Sequence, residues 1–184
     1  MEKYRDQVKC LNHQGAIIDL DTYQKEYGLK GTKIGQYFNY TEPRFLQDIY
    51  DYDELIVCIP LMTILDLYRQ NKKAPVFVNS FNRNDQKQKE LAAKGYKTAK
   101  FSPHVFKLAA DVDTLTPEET KYDANLILDI AKDYGIPIRV GYKQYLKNAQ
   151  TFIHIDVCPY YFAPGRPFNS IKHPHVWEYN FRTW

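Results

Sequence analysis

TFIHIDV, the stretch at residues 151–157, decides both the fold and the chemistry expected of this chain. Its alternating pattern predicts a strand, in which successive side chains point to opposite faces. One face would carry three apolar side chains toward a core. The other face would carry Phe152, His154 and Asp156, which places an imidazole and a carboxylate side by side. Such a polar row opposite a core face indicates either a solvated surface or a functional site.

A second stretch, AADVD at residues 109–113, predicts another short strand with Asp111 and Asp113 on one face. His104 precedes this strand in a turn that begins at Ser102. Two histidines and one aspartate on rigid strands make a three-ligand set with an open fourth position, which is typical of catalytic rather than structural zinc. The alternative is a pair of half-buried histidines that are hydrogen-bonded by neighbouring aspartates and bind no metal.

The rest of the chain predicts helices and further strands around these two stretches. Thr116 is a helix N-cap, followed by a proline and by Glu119 in a capping box, and Gly135 would end this helix. Other patterns predict helices at residues 43–53, 60–73 and 87–94, and strands at residues 16–20, 75–80 and 137–142. Helices that precede a mixture of strands and one long helix favour an α+β fold, with a small antiparallel sheet that carries the zinc site and with flanking helices.

Composition argues against several classes of protein. The hydrophobic fraction of 44% and the charged fraction of 26% are those of a globular protein and not of a disordered one. The net charge of +3 is not concentrated in any stretch, so we expect no nucleic-acid partner. The three cysteines are far apart, which argues against a disulfide framework and against a cysteine-based zinc site.

Three motifs, in this order, resemble those of the zinc D-alanyl-D-alanine carboxypeptidases and the related phage and bacterial peptidoglycan peptidases, including phage endolysins. Residues 75–83 are similar to the strand of that family that ends in a serine and an arginine. Residues 102–111 resemble the SxHxxGxAxD motif. Residues 152–156 read FxHxD and resemble the second metal motif of the short members. The resemblance covers residues 37–158.

This resemblance implies a zinc hydrolase that cuts peptide bonds in peptidoglycan stem peptides by means of a metal-activated water. His104, Asp111 and His154 would hold the zinc ion. Asp156 would be the general base, or would orient the water or an imidazole. Arg83 would bind a substrate carboxylate or stabilise the oxyanion. The bond could be that of a D-Ala-D-Ala carboxypeptidase or of an L-Ala-D-Glu type endopeptidase.

Four further residues are expected near this site. Ser102 and Asp113 are candidates for contacts that support the metal ligands from behind. Phe101 and Tyr145 are candidates for substrate binding, together with Arg83. We expect the aromatic segment after residue 157 to fold back as one wall of the substrate groove.

Two positions depart from the family pattern. Lys107 replaces the motif glycine, and Thr151 stands where many members carry a glutamate three residues before the last ligand. These departures support an alternative function, a zinc-binding structural or wall-binding module of the same fold with weak or no turnover, such as a phage virion component. A third hypothesis is an α+β protein without metal, which would hold the His104 and His154 side chains more than about 5 Å apart.

We therefore divide the chain into an N-terminal arm at residues 1–36, a metallopeptidase-like domain at residues 37–158, and an aromatic, proline-rich tail at residues 159–184 packed on the domain. The first residues lack the apolar run of a secretory signal, and no 18-residue apolar stretch predicts a membrane span. We expect a bacterial or phage-encoded protein that is made in the cytoplasm and acts on peptidoglycan. His173 and His175 can share a metal, although such tail histidines are more often exposed.

Overall fold

The structure, a computed structural model, describes residues 2–95, 102–162 and 175–177. Within these ranges the chain is α+β, with two small sheets and seven α-helices. This confirms the predicted fold class. Among the described residues, none of the helices has the length and hydropathy of a transmembrane span.

The first sheet is built largely from the segment that we predicted to be an arm. It contains β1 (Val8–Leu11), β2 (Ile17–Asp19) and β3 (Leu55–Cys58), preceded by a 3₁₀ helix at Glu2–Gln7. β1 pairs antiparallel with β2 and parallel with β3. The sequence pattern predicted β2 but missed β1 and β3. The boundaries of the predicted arm, domain and tail stay a prediction, although β1 packs in the same apolar cluster as the rest of the chain.

The second sheet, here called the site sheet, carries the candidate ligands. Its strands are β4 (Val78–Ser80), β5 (Ala109–Asp113), β6 (Arg139–Gly141), β7 (Phe152–Asp156) and β8 (His175–Trp177). They lie in the order β4-β5-β7-β6-β8, and the pairs β4-β5, β5-β7 and β7-β6 are antiparallel. β8 comes from the predicted tail and pairs parallel with β6. The four strands predicted in this part of the sequence are therefore present, with shorter limits for three of them.

Seven helices flank the two sheets in the described ranges. They are α1 (Leu20–Tyr27), α2 (Pro43–Tyr52), α3 (Ile59–Lys72), α4 (Asp85–Ala93), α5 (Pro117–Asp133), α6 (Lys143–Lys147) and α7 (Cys158–Phe162). The hydroxyl of Thr116 accepts the amide hydrogen of Glu119, as the capping box predicts. The Glu119 carboxylate reaches back to the amide of Leu115, one residue earlier than predicted.

One apolar cluster joins both sheets and the helices between them. Fully buried members include Val57 on β3, Leu65 on α3, Ile127 on α5 and Ile155 on β7. The apolar face of β7 therefore points into this core, as its alternation predicts. The opposite face of β7 is left to carry polar side chains.

The chain segment that follows β7 is tied to the turn between β1 and β2. The hydroxyl of Tyr161 donates to the carbonyl of Asn12 at 2.9 Å. The imidazole of His13 lies between two tyrosine hydroxyls, with Nδ1 2.7 Å from Tyr160 and Nε2 2.9 Å from Tyr27. These contacts connect the first sheet to α7 and give Tyr27, Tyr160 and Tyr161 a structural role.

Candidate metal centre

Three side chains converge where β5 and β7 pair. Asp111 and His154 are register partners on these antiparallel strands, and His104 comes from the turn that precedes β5. One donor atom from each of the three lies within 4.8 Å of the other two. The side chains are buried, so the group can hold a metal ion away from bulk water. The hypothesis of a protein without metal expected the His104 and His154 side chains more than about 5 Å apart. Donor atoms of these two side chains lie within 4.8 Å of each other instead.

His104 is oriented by a main-chain carbonyl. Its Nδ1 lies 2.7 Å from the carbonyl oxygen of Phe81, which can only accept a hydrogen bond, so Nδ1 carries the hydrogen. The lone pair on Nε2 then faces Asp111, whose Oδ2 is 3.2 Å away. Two donors on one tetrahedral zinc ion lie about 3.3 Å apart, given bonds of about 2.0–2.1 Å. The donor types and the spacing therefore fit a metal ion at this position.

His154 lies between two carboxylates. Its Nδ1 is 2.8 Å from Oδ1 of Asp111, and its Nε2 is 3.3 Å from Oδ2 of Asp156. Asp156 is fully buried, and both of its oxygens accept from Nε of Arg139 at 2.9 Å. The amide of Cys158 donates to Oδ1 of Asp156 as well. These contacts favour the orienting role for Asp156, whereas its assignment as the general base stays a prediction.

The electrostatics of the group follow from burial and from the two carboxylates. Burial lowers the pKa of His104 below its usual value. Burial also opposes protonation of His154, but the hydrogen bonds to Asp111 and Asp156 outweigh it and raise its pKa to about 9. Burial alone would raise the pKa of Asp111, yet the two imidazoles hold it well below its usual range. In the metal-free group, protonated His154 and ionised Asp111 therefore form an ion pair, and a metal ion would take the place of the proton on His154.

Arg83 lies beside the ligand group. Its Nη2 donates to Oγ of Ser80 at 2.8 Å and is 3.7 Å from Oδ2 of Asp111. Its Nη1 donates to the side-chain oxygen of Gln88 on α4 at 3.1 Å. The serine and the arginine of the predicted motif therefore meet at the metal group. Whether Arg83 binds substrate stays a prediction.

Lys107 occupies the position of the motif glycine in a left-handed backbone conformation, with φ of 64°. This region favours glycine and costs other residues roughly 1–2 kcal/mol. The Lys107 side chain offsets part of this cost, because its Nζ donates to the carbonyl of Arg83 at 2.8 Å and lies 5.5 Å from the Tyr52 ring centre. The loop thus keeps a glycine-like shape with a lysine in it.

Ser102 and Asp113, the two residues predicted to support the metal ligands, lie in different surroundings in the structure. Ser102 is buried, and its carbonyl accepts the amide hydrogen of Val105 at 3.0 Å, which closes the turn that carries His104. Asp113 is exposed and accepts a hydrogen bond from the side chain of Asn79 on β4. Ser102 therefore supports the ligand turn through its main chain, and Asp113 pairs with Asn79 across β4 and β5.

The predicted substrate residues are described only in part. Tyr145, on α6, packs against Phe152 with ring centres 4.0 Å apart and an interplanar angle of 32°. Phe152 precedes His154 by two residues on β7, so this aromatic pair lies along the same strand face as the ligand. Phe101 and His173 lie outside the described residues, and His175 is described only as the first residue of β8.

Two groups at this site were not predicted from the sequence. The carbonyl of Phe81 orients His104, and a main-chain contact of this kind leaves no signal in the side-chain pattern. Arg139 carries a charge within the apolar run of β6, and such a residue requires a buried partner. An arginine in an apolar run can be seen in the sequence. Its partner, Asp156, could not be identified there, because it is set by the pairing of β6 with β7.

Comparisons with known proteins identified no relative of this chain. Neither a scan against protein-family models nor searches of curated proteins and of solved structures found a match for the chain. The resemblance of the three motifs therefore stays a prediction. The candidate metal centre depends on the geometry of His104, Asp111 and His154 alone.

Proposed function

We propose that this protein is a zinc-dependent peptidase that hydrolyses peptide bonds in peptidoglycan stem peptides. The observation that supports the proposal is the convergence of His104, Asp111 and His154, with donor atoms within 4.8 Å of one another. Two imidazoles and one carboxylate are the kind of three-ligand set that catalytic zinc takes. Zinc in this set would supply Lewis acidity to a scissile carbonyl and to a water molecule.

Arg83 indicates which kind of substrate the proposed peptidase would bind. Its guanidinium lies 3.7 Å from the Asp111 carboxylate and is held in place by Ser80 and Gln88. A positioned guanidinium binds carboxylates through its planar fork of donors. In a carboxypeptidase it would bind the free carboxylate of a D-Ala-D-Ala terminus next to the metal. In an endopeptidase it would stabilise the negative charge that develops on the attacked carbonyl oxygen.

A second candidate function is a metal-binding module with weak or no turnover. Two features favour it. The oxygens of Asp156 are already engaged by Arg139, by the Cys158 amide and by His154, which leaves Asp156 poorly placed as a base. Thr151 supplies no carboxylate at the position where the resembled family has a glutamate, and its carbonyl instead accepts the amide hydrogen of Thr114.

Metal analysis of the purified chain tests what both candidates share. After treatment with a chelator, the wild type should take up about one zinc ion per chain, and zinc should raise its melting temperature because it binds only the folded state. His104→Ala and His154→Ala should lose this uptake. His13→Ala is the matched control, since it removes an imidazole that bonds two tyrosines outside the ligand group. Absence of zinc binding in the wild type would reject both candidates.

Digestion of peptidoglycan stem peptides separates the two candidates. The zinc-loaded wild type should release either D-alanine or an internal fragment, detected by mass spectrometry. Arg83→Met should raise KM most for substrates with a free terminal carboxylate. Asp156→Ala with zinc retained should lower turnover if Asp156 is the base. Zinc uptake without any cleavage would favour the metal-binding module.

A further inference from the structure

We infer that Arg139 is a positioning residue, which acts through Asp156 to hold His154 so that Nδ1, and not Nε2, faces the metal. The inference rests on the metal site of the proposed function and does not depend on peptide hydrolysis. Arg139 would thus act on the metal site only through Asp156.

Arg139 and Asp156 form an ion pair across β6 and β7. Arg139 and Asp156 are register partners, and Nε of Arg139 lies 2.9 Å from both carboxylate oxygens. Arg139 is 4% exposed and Asp156 is 0% exposed. A charge buried to this extent is kept only with a compensating partner. Arg139 therefore fixes Asp156 as an ionised carboxylate that can only accept hydrogen bonds.

The His154 imidazole lies between two carboxylates, those of Asp156 and Asp111. Nε2 of His154 lies 3.3 Å from Oδ2 of Asp156, while the amide of Cys158 donates to Oδ1 of the same carboxylate. Because Asp156 accepts at each of these contacts, Nε2 must carry a hydrogen. Nδ1 faces the second carboxylate, Asp111, and donates to it in the metal-free protein, so a metal ion bound at the ligand group would displace this hydrogen and take the lone pair of Nδ1. That atom lies 2.8 Å from Oδ1 of Asp111, on the side of the ligand group.

His104 is oriented in the opposite way. The Phe81 carbonyl accepts a hydrogen bond from Nδ1 of His104, which leaves the lone pair of Nε2 for the metal. The two histidines therefore present different nitrogens to one ion, each determined by the partner of the other ring nitrogen. Without Arg139, Asp156 would be a buried carboxylate without its cation, and the hold on His154 would weaken.

Nitrogen NMR of the zinc-loaded wild type tests the assignment directly. We expect the His154 spectrum to show a metal-bound Nδ1 and a protonated Nε2, with the reverse pattern at His104. A metal-bound Nε2 at His154 would overturn the inference. This measurement needs no variant, so it decides the assignment even if substitutions at Arg139 do not fold.

Substitution tests the role of Arg139. Arg139→Met should weaken zinc binding roughly 10–100-fold, as loss of a contact behind a ligand does, and should shift the visible spectrum of the cobalt-substituted protein. Arg139→Lys keeps a cation and should recover part of the affinity. Lys72→Met is the matched control, because Lys72 pairs with Asp123 and Glu119 away from the site. This control should lose stability and keep the zinc affinity and cobalt spectrum of the wild type.

The outcomes separate this inference from the proposed function. Wild-type zinc affinity and cobalt spectrum in a folded Arg139→Met variant would overturn the inference. If the wild type binds no zinc, the proposed function fails. In that case this inference fails with it, whereas zinc binding by the wild type without the effects expected of Arg139→Met overturns this inference alone.

Discussion

Residue 107 shows how a single side chain can take over a position that favours glycine. The left-handed backbone at Lys107 is unfavourable by itself. The Nζ of Lys107 donates a hydrogen bond to the carbonyl of Arg83, which offsets part of this cost. The amide of Lys107 also donates to the carbonyl of His104, as does the amide of Arg83. One lysine thereby joins the main chain of the arginine to that of a ligand.

Two substitutions at this position separate backbone strain from the side-chain contact. Lys107→Ala keeps the strain and loses the hydrogen bond, whereas Lys107→Gly loses both. We expect Lys107→Ala to be less stable than Lys107→Gly by about 1 kcal/mol, measured by urea unfolding. Equal stability of the two variants would show that the left-handed conformation is not retained.

The raised pKa of His154, about 9, predicts how zinc affinity depends on pH. Below that pH zinc must displace the proton from His154, whereas His104, with its lowered pKa, is already neutral at pH 7. Affinity should therefore rise about tenfold per pH unit between pH 7 and 9 and then level off. Competition titrations with a chelator of known pH dependence measure this slope. An affinity independent of pH over that range would contradict the prediction.

At the scale of elements, the pairing of β5 with β7 creates the ligand group. Asp111 meets His154 only because the register sets these two residues opposite each other. A slip of one residue would turn the carboxylate to the other face of the sheet. The alternation in each strand was readable from the sequence, and so was the face that carries each ligand. The register was not, because it depends on contacts between segments that are distant in the chain.

Elements that the sequence did not predict have physical reasons for being missed. β3, at Leu55–Cys58, is a short apolar run that leads directly into α3, so periodicity cannot separate it from the helix. It is a strand because it pairs parallel with the distant β1. α1 has a weakly apolar sequence, and its ends are set by Asp19, which accepts the amide of Thr22, and by a left-handed Gly28.

The N-cap of α5 offers an element-scale test. Thr116→Ala removes the hydroxyl that accepts the Glu119 amide and should destabilise the protein by about 1 kcal/mol. Glu118→Ala changes an exposed residue of the same turn and should have a smaller effect. Urea unfolding of both variants provides the comparison. Zinc affinity should be unchanged in both, since α5 supplies no ligand.

At the scale of the whole molecule, the described part of the tail joins the site sheet. β8 pairs with β6 along Arg139, Val140 and Gly141, and so lies next to the strand that holds Asp156 in place. A protein truncated after residue 162 would lose this neighbour and keep α7. We expect it to be less stable and to bind zinc more weakly than the full chain, as measured by thermal unfolding and zinc titration. Wild-type zinc affinity in the truncated protein would contradict this role.

The order of strands in the site sheet has a consequence for synthesis on the ribosome. β7 lies between β5 and β6, although it follows both in the sequence. A nascent chain that has emerged only as far as β6 holds two strands whose common partner has not yet been made. Since domains begin to fold from the N-terminus as they emerge, the first sheet can form early. The site sheet cannot form until β7 has been synthesised. His154 lies on β7, so the three candidate ligands come together only when β7 pairs with β5.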